Sequence, residues 1–148
     1  MRGKRWVYLA ASGGNLNMIS NPKDGWCKFK LGAFEGAPSY LTDVPVDLLN
    51  AFIDCHHKGM GMAWFDEEGG WFTFVITPYS LFIIEERDKP ILYDLSEMKI
   101  EDLEKELISD IENDLNAWAD FMGSDNFENN RQYIRQNIKK LKNMRRKI

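Results

Sequence analysis

The chain holds only two cysteines and two histidines in 148 residues. Cys27 and Cys55 are too few for a disulfide framework and show no paired spacing such as C-x-x-C, so they read as buried free thiols. The most apolar segment, Trp71 to Ile84, is interrupted by Thr73, Thr77, Pro78 and Ser80 and falls short of the roughly 20 residues that span a bilayer. No glycine cluster has the setting of a phosphate loop: Gly13-Gly14 and Gly69-Gly70 precede no helix, and no Lys-Ser or Lys-Thr pair follows them. Gly59-Met60-Gly61-Met62 lacks the third glycine of a dinucleotide fingerprint, and there is no Gly-x-Ser-x-Gly elbow. Membrane spanning, nucleotide binding and the common hydrolase chemistries therefore have no sequence support, and no cofactor or metal is expected.

What is present describes a globular chain. Charged residues make up 28% and apolar ones 44%, close to soluble averages. The basic start, Met1 to Arg5, followed by Trp6 to Ala11, imitates a secretory signal, but its six apolar residues fall below the roughly 7–15 of a signal core. A first strand explains it better, and the chain reads as cytoplasmic.

Periodicity divides the sequence into a strand-rich part, 1–93, and a helical hairpin, 99–148, within a single domain, 1–148. Arg5 to Ala11 reads as a strand, with Ser12-Gly13-Gly14-Asn15 turning it into a return strand over Leu16 to Ile19. After a turn over Asn21 to Gly25, Cys27, Phe29 and Leu31 alternate with Trp26, Lys28 and Lys30 at the strand period of two. Gly32 to Thr42 is expected as a loop. Asp43-Val44-Pro45 opens a helix over about 45–58, with Leu48, Leu49, Phe52, Ile53 and His56 on one stripe and Gly59 to end it. Met60 to Phe65 and Trp71 to Thr77 flank Asp66 to Gly70 as a hairpin, and shorter strands follow to Tyr93.

From Lys99 to Met122 the apolar spacing predicts one helix, with Gly123 to stop it and Ser124 to cap the next. The fold class is thus α+β: an antiparallel sheet of hairpins covered by one helix, plus a C-terminal antiparallel helix pair.

The two C-terminal helices differ in sign. Asp94 to Glu128 carries twelve acidic residues against Lys99 and Lys105, whereas Arg131 to Lys147 carries eight basic residues and no acidic one. Arg131, Arg135, Lys139, Lys142 and Arg146 share one helical face, flanked by Lys140 and Lys147. That stripe is either a phosphate-binding surface or a solvated face paired with its acidic neighbour. Glu104 and Asp114 fall at or within the acidic helix's apolar stripe. Each either lines a cavity or sits at the stripe's edge with its head in water.

Cys55-His56-His57 gathers the chain's histidines beside a thiol. Adjacent helical residues point about 100° apart, which suits neither a thiolate–imidazole dyad nor a shared metal site. A core histidine at position 56 is the simpler expectation. Trp64 and Trp71 stand at equivalent positions around the acidic turn, where they form either an exposed interface anchor or part of the core. Glu67 and Glu68 at its tip are expected to be exposed.

A small acidic α+β domain with a hairpin such as Met62-Ala63-Trp64-Phe65-Asp66-Glu67-Glu68-Gly69-Gly70-Trp71 and no active-site signature resembles the bacterial immunity proteins that neutralise polymorphic toxins. Those of contact-dependent growth inhibition systems are closest in style. The resemblance implies a non-enzymatic inhibitor that binds one toxin domain, often a cationic nuclease, through charge complementarity and a few aromatic anchors. The candidate contact residues are then Trp64, Glu67, Glu68 and Trp71 of the hairpin with Asp102, Glu106, Glu112 and Asp120 of the acidic helix. The alternative is a nucleic-acid-associated regulator that contacts phosphates through the basic C-terminal helix.

Overall fold

The computed structural model describes the strand Arg5–Tyr8 by its backbone and residues 17–145, Arg145 also by backbone alone. The elements run β1 (Arg5–Tyr8), β2 (Ile19–Lys23), β3 (Trp26–Leu31), β4 (Phe34–Gly36), α1 (Val44–Lys58), β5 (Gly61–Asp66), β6 (Trp71–Ile76), β7 (Leu81–Glu86) and β8 (Ile91–Asp94). Helices α2 (Ile100–Glu112), α3 (Leu115–Ala119) and α4 (Phe127–Arg145) complete the α+β chain.

Among the described residues the strands form two sheets, β1-β8-β7-β6-β5 and β2-β3-β4. The expected hairpin between the first strand and its return is not formed. β1 instead runs parallel to β8, Trp6 opposite Leu92, while β2 pairs with β3 in the smaller sheet. Residues 9–11 of the expected strand and the Ser12-Gly13-Gly14-Asn15 turn lie outside the described residues. Parallel pairing requires a long connection, which the separation of β1 from β8 in the sequence supplies. The loop expected over Gly32 to Thr42 contains the short strand β4, which pairs Phe34 with Leu31.

Strict alternation builds the core. In β5, β6 and β7 the residues Ala63, Phe65, Phe72, Phe74, Ile76, Leu81 and Ile83 are buried, and their sequence neighbours lie on the opposite face. Two layers cover this inner face. Phe52 of α1 meets Phe74 with ring centroids 5.8 Å apart, and Phe29 and Phe34 of the smaller sheet meet Phe72 at 5.0 and 4.7 Å. Each such ring contributes roughly 2–3 kcal/mol through its burial. α1 lies so close to β5 that a Cβ at Gly61 would run into the carbonyl of Ala51. The helix ends as expected at Gly59, which takes the left-handed conformation at φ 81°.

The single helix expected from Lys99 to Met122 is broken after Glu112. Asp114 leaves helical geometry at φ −143°, ψ 42°, and α3 restarts the chain. The break lets Trp118 bury its ring and donate its indole N–H to the carbonyl of Asp110 at 3.3 Å. Ser124, expected as a cap, opens a 3-10 turn over Ser124–Asn126 before α4. α4 lies along α1 and against α3 and touches α2 through an ion pair from Lys142 Nζ to Glu112 Oε2 at 3.1 Å.

Candidate functional site

Alternation also fixes what the outer face of the five-stranded sheet presents. Register places Trp64, Thr73, Ile84 and Leu92 in one cross-strand row, Met62, Val75, Phe82 and Asp94 in a second, and Asp66, Trp71 and Glu86 in a third. α1, the helix with the main contacts to β5 and β6, lies on the opposite face. Met62 is 59%, Trp64 45% and Trp71 43% exposed, and the remaining apolar members are half-buried between their strand neighbours. An aromatic and aliphatic sheet face open to solvent is unusual, because one uncovered face of an antiparallel sheet ordinarily alternates to polar residues.

The two tryptophans are diagonal neighbours rather than equivalent ones. Trp64 faces Thr73 and Trp71 faces Asp66, because Asp66 closes the ladder and leaves a four-residue turn held by Glu67 N–H on the carbonyl of Gly70 at 2.9 Å. Their ring centroids are 6.5 Å apart at 43°, a spacing that tilted aromatic pairs favour. Both are exposed, so neither is part of the core.

The turn itself departs from expectation at Glu67. Its side chain is only 8% exposed, because one carboxylate oxygen accepts the Ala37 N–H at 2.9 Å and the other lies 3.9 Å from Arg87 Nη2. Ser39 N–H also bonds the carbonyl of Asp66 at 2.8 Å. Glu67 is therefore a clamp that seats the hairpin tip on the smaller sheet. Glu68, at φ 54°, is exposed as expected.

The acidic-helix candidates lie elsewhere. α2 packs on β2 and α1, the layer of the covered face, and α3 on β2 and α4; Asp102, Glu112 and Asp120 are exposed and belong to none of the tryptophan rows. Glu106 is half-buried and hydrogen-bonds Asp110. Asp110 itself was not singled out by the sequence, although its place one helical turn from Leu107 and Glu106 marks it as inward-facing. It is buried, and one carboxyl oxygen accepts the backbone N–H groups of Met18 at 2.7 Å and Ile19 at 3.1 Å. Burial first, then the hydrogen bond with Glu106, pushes its pKa up to about 8, against the lowering effect of the two amides.

Glu104 overturns the edge expectation. It is 1% exposed, with Oε1 at 2.5 Å from His56 Nε2. His56 is half-buried at the edge of the core rather than within it, with a buried acceptor in Glu104, and Asp114 is the one of the acidic pair that reaches water. Beside them the Cys55 thiol is raised by burial and then by the Glu104 charge, and burial pushes the Cys27 thiol up to about 12. Both effects disfavour the thiolate that nucleophilic chemistry needs. Among the described residues no cluster of three His, Cys, Asp or Glu is placed to hold a metal ion.

On α4, Arg135, Lys139 and Lys142 are exposed and line a groove of about 560 Å³ whose walls include Leu115 and Glu112. Lys142 is paired there with Glu112, while Arg131 is half-buried. Arg146 and Lys147 of the predicted stripe lie outside the described residues. No helix of the described residues is long and apolar enough to cross a membrane. No family model, curated protein or solved structure matches the chain.

Proposed function

We propose that this protein acts by binding another protein, as a non-enzymatic immunity protein that neutralises a cognate bacterial toxin domain in the cytoplasm. The observation that carries this reading is the open sheet face, with Trp64 and Trp71 exposed at its β5–β6 end and only acidic residues among the charged positions of the β5 to β8 rows. Four strands at about 4.8 Å spacing and six residues in length give a surface of about 400 Å². That is the size of the desolvated centre of a standard interface, whose polar rim brings each side to about 800 Å².

A face of this kind favours an inhibitor over an enzyme. Rigid sheet-borne aromatics lose little side-chain entropy when they bind and supply the anchors that slow dissociation. Asp66, Glu86 and Asp94 on the same face attract a cationic partner, of which a nuclease domain is the type the resemblance implies, and accelerate encounter. The hairpin carrying both tryptophans is fixed by the Glu67 clamp and by Ser39, so the surface is preorganised.

The test is coexpression with the toxin domain encoded beside this reading frame. A stable complex and loss of toxicity are expected with the native chain, and both are lost on replacing Trp64 and Trp71 together by alanine. Failure of the native chain to bind or protect against any neighbouring toxin would reject the reading.

A further inference from the structure

The third row of the open face has a chemistry of its own. Trp71 lies between Asp66 on β5 and Glu86 on β7, each directly opposite it in register. Neighbouring side chains in such a row begin about 5 Å apart, so the two carboxyl-bearing residues stand about 10 Å from each other across the indole. Trp64 stands on the diagonal, its ring centroid 6.5 Å from that of Trp71. One oxygen of Asp66 accepts the N–H of Glu68 at 2.6 Å, which orients the carboxylate.

Arg87, which follows Glu86 in the chain, is engaged on the other side of the sheet. Arg87 bonds Glu85 at 3.1 Å and lies 3.9 Å from Glu67. The open-face positions of β5 to β8 contain no Lys, Arg or His, so Asp66 and Glu86 face solvent uncompensated beside two exposed indoles.

Resting on the reading of this face as the partner interface, we infer that the Asp66–Trp71–Glu86 row with Trp64 is an anchor site for an arginine side chain of the partner. A guanidinium is flat and weakly hydrated, stacks on an indole face within about 6 Å of its centroid, and directs its edge N–H groups outward in the ring plane. Carboxylates flanking the ring meet those N–H groups in charge-assisted hydrogen bonds. A lysine ammonium, a strongly hydrated point charge, satisfies a carboxylate or the ring less completely.

The site is tested on the full-length ¹⁵N-labelled chain with the peptide acetyl-Gly-Arg-Gly-amide and its lysine and citrulline counterparts. The arginine peptide is expected to shift the indole N–H resonances of Trp64 and Trp71 and leave those of Trp26 and Trp118 unmoved. Citrulline, isosteric but uncharged, is expected to bind at least about fivefold more weakly, and the pair D66N/E86Q to weaken arginine binding by a similar factor. Equal shifts from arginine and citrulline, or shifts indifferent to D66N/E86Q, overturn the anchor. The toxin-binding assay separates the two claims. If W71A abolishes the complex and D66N/E86Q leaves it intact, the interface stands and the arginine site falls. If neither alters the complex, both fall.

Discussion

The two faces of the five-stranded sheet are built from the same strands and nearly the same residue types, yet they have opposite fates. On the inner face Phe65, Phe72 and Phe74 are fully buried under α1 and the smaller sheet. On the outer face Trp64, Trp71 and Met62, one residue away along the same strands, remain open. Folding stability resides mainly in the first set, because those rings are wholly removed from water. The second set contributes little to the fold, and the proposed function gives its apolar character a use in binding.

Substitutions break this contrast in graded steps. Phe72→Ala removes a ring packed against Phe29, Phe34 and Phe65 and should cost about 3–5 kcal/mol in chemical denaturation. Glu104→Ala leaves the His56 ring without its buried acceptor, and about 1–3 kcal/mol is expected by the same measurement. Trp64→Ala and Trp71→Ala, by contrast, should each cost about 1 kcal/mol or less, the worth of an exposed cross-strand pair. Replacing Arg135 and Lys139 by glutamine should change stability by no more than about 0.5 kcal/mol and leave partner binding intact, since α4 is remote from the open face.

Asp110 supplies a pH-dependent test of the covered side. Its pKa is raised in the folded state to about 8, so between its unfolded value near 4 and about 8 the native protein holds a proton that the unfolded chain has released. Stability from this group is therefore complete at low pH and declines as pH rises through that window. Asp47, pushed up to about 6 by burial and then by Asp43, acts with the same sign over a narrower range. Asp110→Asn keeps an acceptor for the Met18 and Ile19 amides and mimics the protonated form. Thermal melts should then show the variant close to the native chain at pH 5 and progressively the more stable of the two toward pH 9.

The distribution of legible and illegible features has a physical basis. The β5–β6 hairpin, α1 with its Gly59 stop and the α+β class follow from local signals, namely a period of two, a period of 3.6 and glycine at positive φ, and these the sequence displays directly. The parallel pairing of β1 with β8 depends on a contact between residues about ninety positions apart, which no local pattern encodes. The break at Asn113 and Asp114 was hidden because Leu115, Trp118 and Met122 continue the apolar spacing across it.

The candidate site divides in the same way. The acidic turn between Trp64 and Trp71 made the two candidate residues visible, while the row joining Trp71 to Asp66 and Glu86 required the register of three strands. Glu67 looked like an exposed tip because turn residues usually are, and its inward course depends on Ala37 and Arg87 from distant segments. Asp110 and Glu104 are buried against partners on other elements, Met18, Ile19 and His56, so their roles appear only once α2 is docked.

The central claim is that the open face binds a partner while the covered face holds the fold. Titration calorimetry of the neighbouring toxin domain against the native chain and the W64A/W71A double variant tests it most directly, with a thermal melt of each as control. Loss of two interface anchors is predicted to weaken the complex by at least about a hundredfold, with the melt of the variant still cooperative and near native. An unchanged dissociation constant in a folded double variant would contradict the account.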